Sequence, residues 1–255
     1  MNIVVIGAGR LGSALSVALN GSGHNILKII SRTGEKAAAL AETIGCDHGS
    51  KLIIPPQSEV LIVAVNDDAL PEVLSGMTVP VNTVVAHTAG SVGLDVFGSK
   101  FLYHGVFYPL QTFTHGRKYD FSVIPVFTEG NTDQSKDILS SLAGTVSNNV
   151  FELDSEKRRY LHLAAVFSCN FVNHMYYAGK VISARAGMDF DVLLPLLKET
   201  LEKVADMGPE KSQTGPAVRN DKKTIEKHLD LLSFSPDLQE IYILISRSII
   251  NKYIG

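Results

Sequence analysis

Ile3-Val4-Val5-Ile6-Gly7-Ala8-Gly9-Arg10-Leu11-Gly12 places four β-branched apolar residues directly before a G-x-G-x-x-G turn, and Leu11, Leu15, Ala18 and Leu19 then repeat at helical spacing. This order predicts strand, tight turn and helix, the opening of a βαβ unit. Gly7 permits the turn, Gly9 removes the Cβ that would block a diphosphate, and Gly12 lets helix and strand pack closely. The unpaired N–H groups of the first helical turn, backed by the helix dipole, then favour an anion. Residues Gly7, Ala8, Gly9, Arg10, Leu11 and Gly12 are therefore expected to cradle a dinucleotide.

Beyond the turn the same rhythm continues. Ile26–Ile30, Val60–Val65, Thr83–Ala86 and Val123–Phe127 read as strands, with Leu11–Leu19 and Glu35–Ile44 as crossover helices. Fully apolar strands imply a sheet covered on both faces, so residues 1–153 are expected to form a doubly wound α/β Rossmann domain. After Leu153 the pattern turns helical over Asp154–Arg185, Asp189–Asp206, Asp221–Leu232 and Pro236–Tyr253, with Asp154 as an N-cap, so residues 154–255 are expected to form an all-helical second domain.

Composition narrows the function. The 255 residues are 45% hydrophobic and 19% charged, as in a folded globular protein, and a net charge of −3 leaves no excess of cations for a nucleic acid. Cys46 and Cys169 form no C-x-x-C pair, so neither a disulfide framework nor a metal site is expected. No apolar run approaches the roughly 20 residues of a membrane span, and no basic leader precedes the first strand, so a cytoplasmic protein is expected.

At the end of the second strand, where an acid commonly holds the ribose of NAD, stands Ser31-Arg32-Thr33. A guanidinium and two hydroxyls suit a 2′-phosphate, so NADP is the expected cofactor; an exposed loop arginine is the alternative, with Lys36 as an assistant or a surface charge. Asn66, at the end of the Val60 strand, is expected to border the cofactor, and Asp67 or Asp68 to cap the next helix. His87-Thr88-Ala89-Gly90-Ser91 leaves the sheet at the same edge. His87 is either a proton donor or a strand-end histidine satisfied by a backbone carbonyl.

Together with Tyr108-Pro109-Leu110-Gln111-Thr112-Phe113 and Thr214-Gly215-Pro216-Ala217-Val218-Arg219-Asn220-Asp221, these segments make the chain resemble, over nearly its whole length, a family of Rossmann-like NADP oxidoreductases of unassigned function. Their helical C-terminal domain is similar to that of 6-phosphogluconate dehydrogenase, and pyrroline-5-carboxylate reductase, ketopantoate reductase and prephenate dehydrogenase are relatives. The resemblance implies an NADP-binding N-domain, a helical dimerisation domain and an active cleft, without naming a substrate. Tyr108 stands where these families carry a histidine, and is either a hydrogen-bond donor to substrate or an aromatic wall. β-Hydroxyacid dehydrogenases carry a lysine, then an asparagine, on the first long helix of the second domain. Here no lysine lies between Arg159 and Gly179, and Asn170, Asn173 and His174 occupy that stretch. Asn170 and His174 either orient a substrate and pass a proton or hydrogen-bond across a helix pair or a dimer interface. Arg219 is a candidate carboxylate clamp or the partner of Asp221 in an ion pair.

The expectation is an NADP-dependent oxidoreductase acting on a small-molecule substrate, a carbonyl, imine or hydroxy compound. A non-catalytic NADP or metabolite sensor and a reductase using a deazaflavin are the alternatives. Apolar stripes through Leu229, Leu231, Leu232, Ile241, Ile245 and Ile249 point to a homodimer.

Overall fold

The computed structural model describes residues 1–255 and divides into two compact units, Met1–Asn170 and Phe171–Gly255. In the first, β1 (Asn2–Ile6), α1 (Arg10–Gly21), β2 (Asn25–Ile30), α2 (Gly34–Ile44), β3 (Asp47–Gly49), β4 (Val60–Val63), α3 (Leu70–Gly76) and β5 (Val84–His87) follow in order. Then come β6 (His104–Pro109), β7 (Val126–Gly130), α4 (Asp133–Gly144), β8 (Val150–Glu152) and α5 (Ser155–Ala165). The eight strands form one sheet in the order β3-β2-β1-β4-β5-β6-β7-β8, and every pair is parallel except β6 with β7. The strand order reverses between β1 and β4, the crevice where open α/β sheets bind ligands.

Alternation along β1 builds the two halves of the core. Ile3 and Val5 face Leu15, Leu19, Leu40 and Leu139, from α1, α2 and α4. Val4 and Ile6 face the other way, onto Leu70, Leu74, Met77 and Phe97. All these side chains are buried, and removing one leucine to alanine costs about 2–5 kcal/mol at such sites.

The expected Rossmann architecture is present, with differences at particular elements. The strand placed over Val123–Phe127 begins at Val126, because Phe121–Val123 closes a 3₁₀ turn and Pro125 has no N–H to give a ladder. Strands β3, β6 and β8 were not expected. Asp154 caps α5, accepting the Lys157 N–H at 2.8 Å, but the helix expected to run on to Arg185 widens into a π-type turn over Val166–Phe171. The composition change at Leu153 marks the passage from strand to helix, and α5 groups with the first unit.

The second unit is helical: α6 (Val172–Arg185), α7 (Leu194–Met207), α8 (Pro209–Ser212), α9 (Lys222–Leu231) and α10 (Pro236–Tyr253). The helix expected from Asp189 starts as a 3₁₀ turn over Phe190–Leu193, and Pro195 sits in the first turn of α7, where its missing N–H costs nothing. Asp221 caps α9 through the Thr224 N–H. Within this unit only Ala178, Ala217 and Leu232 are buried apolar residues. No helix is long and apolar enough to cross a membrane.

Candidate functional site

At the carboxyl end of β1, Gly7 has φ +110°, a conformation that strains any side chain, and its N–H donates to the Ile30 carbonyl at 2.7 Å, tying this turn to the end of β2. A Cβ on Gly7 would collide with the Ala64 carbonyl just past β4, its carbon 2.7 Å away. A Cβ on Gly12 would collide with the Gly7 carbonyl, its carbon 3.0 Å away. Gly9 differs from both: it takes the N-cap position of α1 with ordinary extended angles, and a Cβ there would meet nothing. Gly7 and Gly12 are thus required by packing, whereas the bare face of Gly9 opens on empty space. The N-terminus of α1 has no side-chain cap and no acid in its first turn, so its N–H groups remain available to an anion. Ala8 is buried beneath the turn, Leu11 packs on the core, and Arg10 is exposed beside a cavity of about 540 Å³ that α1 shares with Thr114–Tyr119.

The turn after β2 lies beside it. The Ser31 N–H donates to Gly49 at 3.0 Å, which fixes the backbone, while Arg32 and Thr33 are exposed. Arg32 makes no ion pair within the chain, and Thr33 occupies the N-cap of α2 without using its hydroxyl there. This is a cationic, hydroxylated strand end with no carboxylate among residues 31–33. Asn66, also exposed, precedes a single 3₁₀ turn over Asp67–Ala69 after β4. Asp67 accepts a short hydrogen bond from Ser91, so the exits of β4 and β5 are joined.

His87 ends β5 fully buried, its ring stacked on Phe97 at 5.4 Å. Its Nδ1 accepts the Ala89 N–H at 3.1 Å. Burial first, and the Arg158 charge second, push its pKa down to about 3. A buried imidazole held neutral keeps only an N–H far less acidic than that of an imidazolium, which favours the strand-end reading of His87 over the proton-donor one. His104 is likewise buried, bonded to the Phe101 carbonyl at 3.0 Å.

Tyr108, on β6, is buried, and its hydroxyl lies 3.0 Å from Nδ1 of His162 on α5. Burial pushes the phenol up to about 12; the Arg158 charge opposes this and Asp67 adds to it. Gly90, in the turn leaving β5, presses on the pair: a Cβ there would sit 2.7 Å from His162 Nδ1 and 2.9 Å from the Tyr108 ring. Helix α5 is held in register by Arg158, which is fully buried and bonds to the Glu129 carboxylate, Ser155 and the Val92 carbonyl. Three elements therefore converge at the carboxyl edge of the sheet. Sequence reading found Tyr108 and the glycine but passed over His162.

The remaining candidates do not join this cluster within the first unit. Asn170 is exposed in the π-type turn. In the second unit His174 is exposed and stacks on Tyr177 at 6.0 Å. Arg219 ends a 3₁₀ turn and is exposed, and Asp221 spends its carboxylate on Thr224 instead of an ion pair with it.

The sequence matches two family models, that of NADP oxidoreductases described as coenzyme F420-dependent over residues 2–90 and a domain of unknown function over residues 124–249. No curated protein matches it significantly. Among solved structures, a Bacteroides fragilis protein assigned provisionally as an NADP oxidoreductase is 40% identical over 98% of both chains, with a TM-score of 0.90. The chain belongs to this NADP oxidoreductase family. Two more distant structures share its fold. An Aspergillus terreus reductive aminase, solved with NADPH and ethyl-5-oxohexanoate, is 12% identical over 100% of this chain and 95% of its own, with a TM-score of 0.75. The 1-pyrroline-5-carboxylate reductase of Streptococcus pyogenes is 15% identical over 98% of both chains, with a TM-score of 0.64.

Proposed function

We propose that the protein is an NADP-dependent reductase that moves hydride between the nicotinamide and a small carbonyl, imine or hydroxy metabolite. The observation that carries this reading is the pairing of an uncapped, acid-free α1 N-terminus, open over Gly9, with the carboxylate-free Ser31-Arg32-Thr33 strand end. Amides of residues 8–12 hold the diphosphate, Arg32 with Ser31 and Thr33 holds the 2′-phosphate, and Asn66 borders the cofactor. When bound, the nicotinamide supplies the hydride.

Tyr108 is the proton donor to the reduced heteroatom in this reading, because its hydroxyl stays protonated at neutral pH and sits at the sheet edge. Arg219 is assigned to a substrate carboxylate, and Asn170 and His174 to orienting the acceptor. A second copy of the chain covers the apolar faces of the helical unit, where Leu196, Leu201 and Leu231 are 61%, 71% and 73% exposed.

Calorimetry with NADPH, NADH and a deazaflavin, followed by absorbance of the reduced nicotinamide with cyclohexanone plus allyl amine, ethyl levulinate and 1-pyrroline-5-carboxylate, tests the reading. Tight NADPH binding and oxidation by at least one probe are expected. Binding without oxidation by any probe favours a sensor, and preference for the deazaflavin replaces the cofactor assignment.

A further inference from the structure

We propose that His162 is the positioning residue of a hydrogen-bonded proton-transfer pair with Tyr108, aligning the phenol toward substrate and returning its proton after each reduction. The inference rests on the reductase reading above.

Tyr108 comes from β6 and His162 from α5, 54 residues later, and their only mutual polar contact is the 3.0 Å hydrogen bond between the hydroxyl and Nδ1. The rings meet edge to face, with centroids 6.1 Å apart, so the contact is directional. The absent Cβ of Gly90 leaves room for both rings. His162 is partly exposed, and its Nε2 makes no hydrogen bond within the protein, so one ring nitrogen meets the phenol and the other is open to solvent. Tyr108 is buried and reaches water poorly on its own. Arg158, one turn before His162, spends both terminal guanidinium nitrogens on Glu129, Ser155 and Val92, and Asp67 is engaged by Ser91. His162 is thus the titratable group hydrogen-bonded to the phenol.

The step balances. A bound reduced nicotinamide would supply hydride to the substrate carbon; the carbon–heteroatom π pair then moves to the heteroatom, which takes the Tyr108 proton. The phenolate takes the Nδ1 proton of His162 as Nε2 gains one from solvent, which supplies the single proton each reduction consumes, and exchange with solvent then restores the Nδ1–H tautomer. With Nδ1–H donating to the phenol oxygen, the phenol O–H is free to point away from His162 and toward substrate. In this arrangement only Tyr108 touches the reacting atoms.

Two measurements test the pair. In histidine-labelled protein without substrate, Tyr108→Phe is expected to move the His162 Nδ1 resonance and leave the other histidines in place; an unmoved His162 resonance overturns the pair. In turnover with whichever carbonyl or imine probe the wild type reduces, His162→Ala is expected to lower kcat at least tenfold with KM and NADPH affinity unchanged. His162→Asn, which keeps a hydrogen-bonding group near the Nδ1 position, is expected to recover part of the loss. Wild-type kcat in His162→Ala overturns the proposal, as does a loss expressed only in KM or NADPH affinity. A wild type that binds NADPH yet reduces no probe defeats the reductase reading, and the proton step with it; that failure shows in the parent protein and is distinct from a failure confined to the variants.

Discussion

Gly9→Ala and Gly12→Ala separate cofactor binding from folding within one turn. At Gly9 the new methyl meets no atom of the protein, and φ −80° with ψ −170° is ordinary for alanine. Loss of a good N-cap residue and the smaller entropy of the unfolded chain roughly offset, so stability is expected to change by about 0.5 kcal/mol or less. In the proposed placement the methyl occupies the space that the diphosphate needs. Displacing one charge-assisted hydrogen bond forfeits about 1.5–3 kcal/mol, or about 10- to 150-fold in NADPH affinity. At Gly12 the methyl drives into the Gly7 carbonyl, a backbone group that cannot rotate aside. Overpacking of that kind costs about 1–3 kcal/mol and lowers Tm by about 2–4 °C for each kcal/mol. Calorimetric titration with NADPH and thermal melting of both variants read the two effects. A Gly9→Ala protein with wild-type NADPH affinity refutes the placement of the diphosphate.

Arg32→Glu is expected to weaken NADPH at least tenfold while leaving NADH affinity nearly unchanged, as measured by competitive titration. Arg158→Met leaves Glu129 without its buried partner and is expected to cost about 3–5 kcal/mol in urea unfolding. His87 has a folded pKa of about 3 against 6.5 when unfolded, so the unfolded state binds the extra proton and stability falls as pH drops from about 6.5 toward 3. His87→Gln removes that contribution, and the stability difference between wild type and variant is expected to narrow with acidification in chemical denaturation. The proposed dimer is expected in sedimentation of the wild type, and Leu201→Asp is expected to convert it to monomers without loss of helical content.

The first half of the fold was legible because its signals are local. Apolar β1, three spaced glycines and the amphipathic face of α1 lie within twenty residues, and each constrains the others. Strand β6 was not legible: His104-Gly105-Val106-Phe107-Tyr108-Pro109 mixes polar, flexible and rigid residues that deny it the look of a strand. It is buried only because β5 and β7 flank it, a tertiary fact. His162 was hidden for a related reason. It follows Glu156-Lys157-Arg158-Arg159, a charge run that reads as a solvated face, yet Arg158 is fully buried and Arg159 is exposed. Nothing near either residue in sequence announces the partner 54 positions away. The π-type turn has no sequence periodicity distinct enough from an α-helix to betray it over six residues.

Arg158 acts as a rivet. Its guanidinium grips a strand, a loop and its own helix at once, pinning the start of α5 against rolling or sliding. The angle at which the imidazole one turn further on meets its phenol is thereby inherited from a carboxylate it never touches. Positions 129, 158 and 162 form a single mechanical inheritance, and drift at the first would be felt as misalignment at the last.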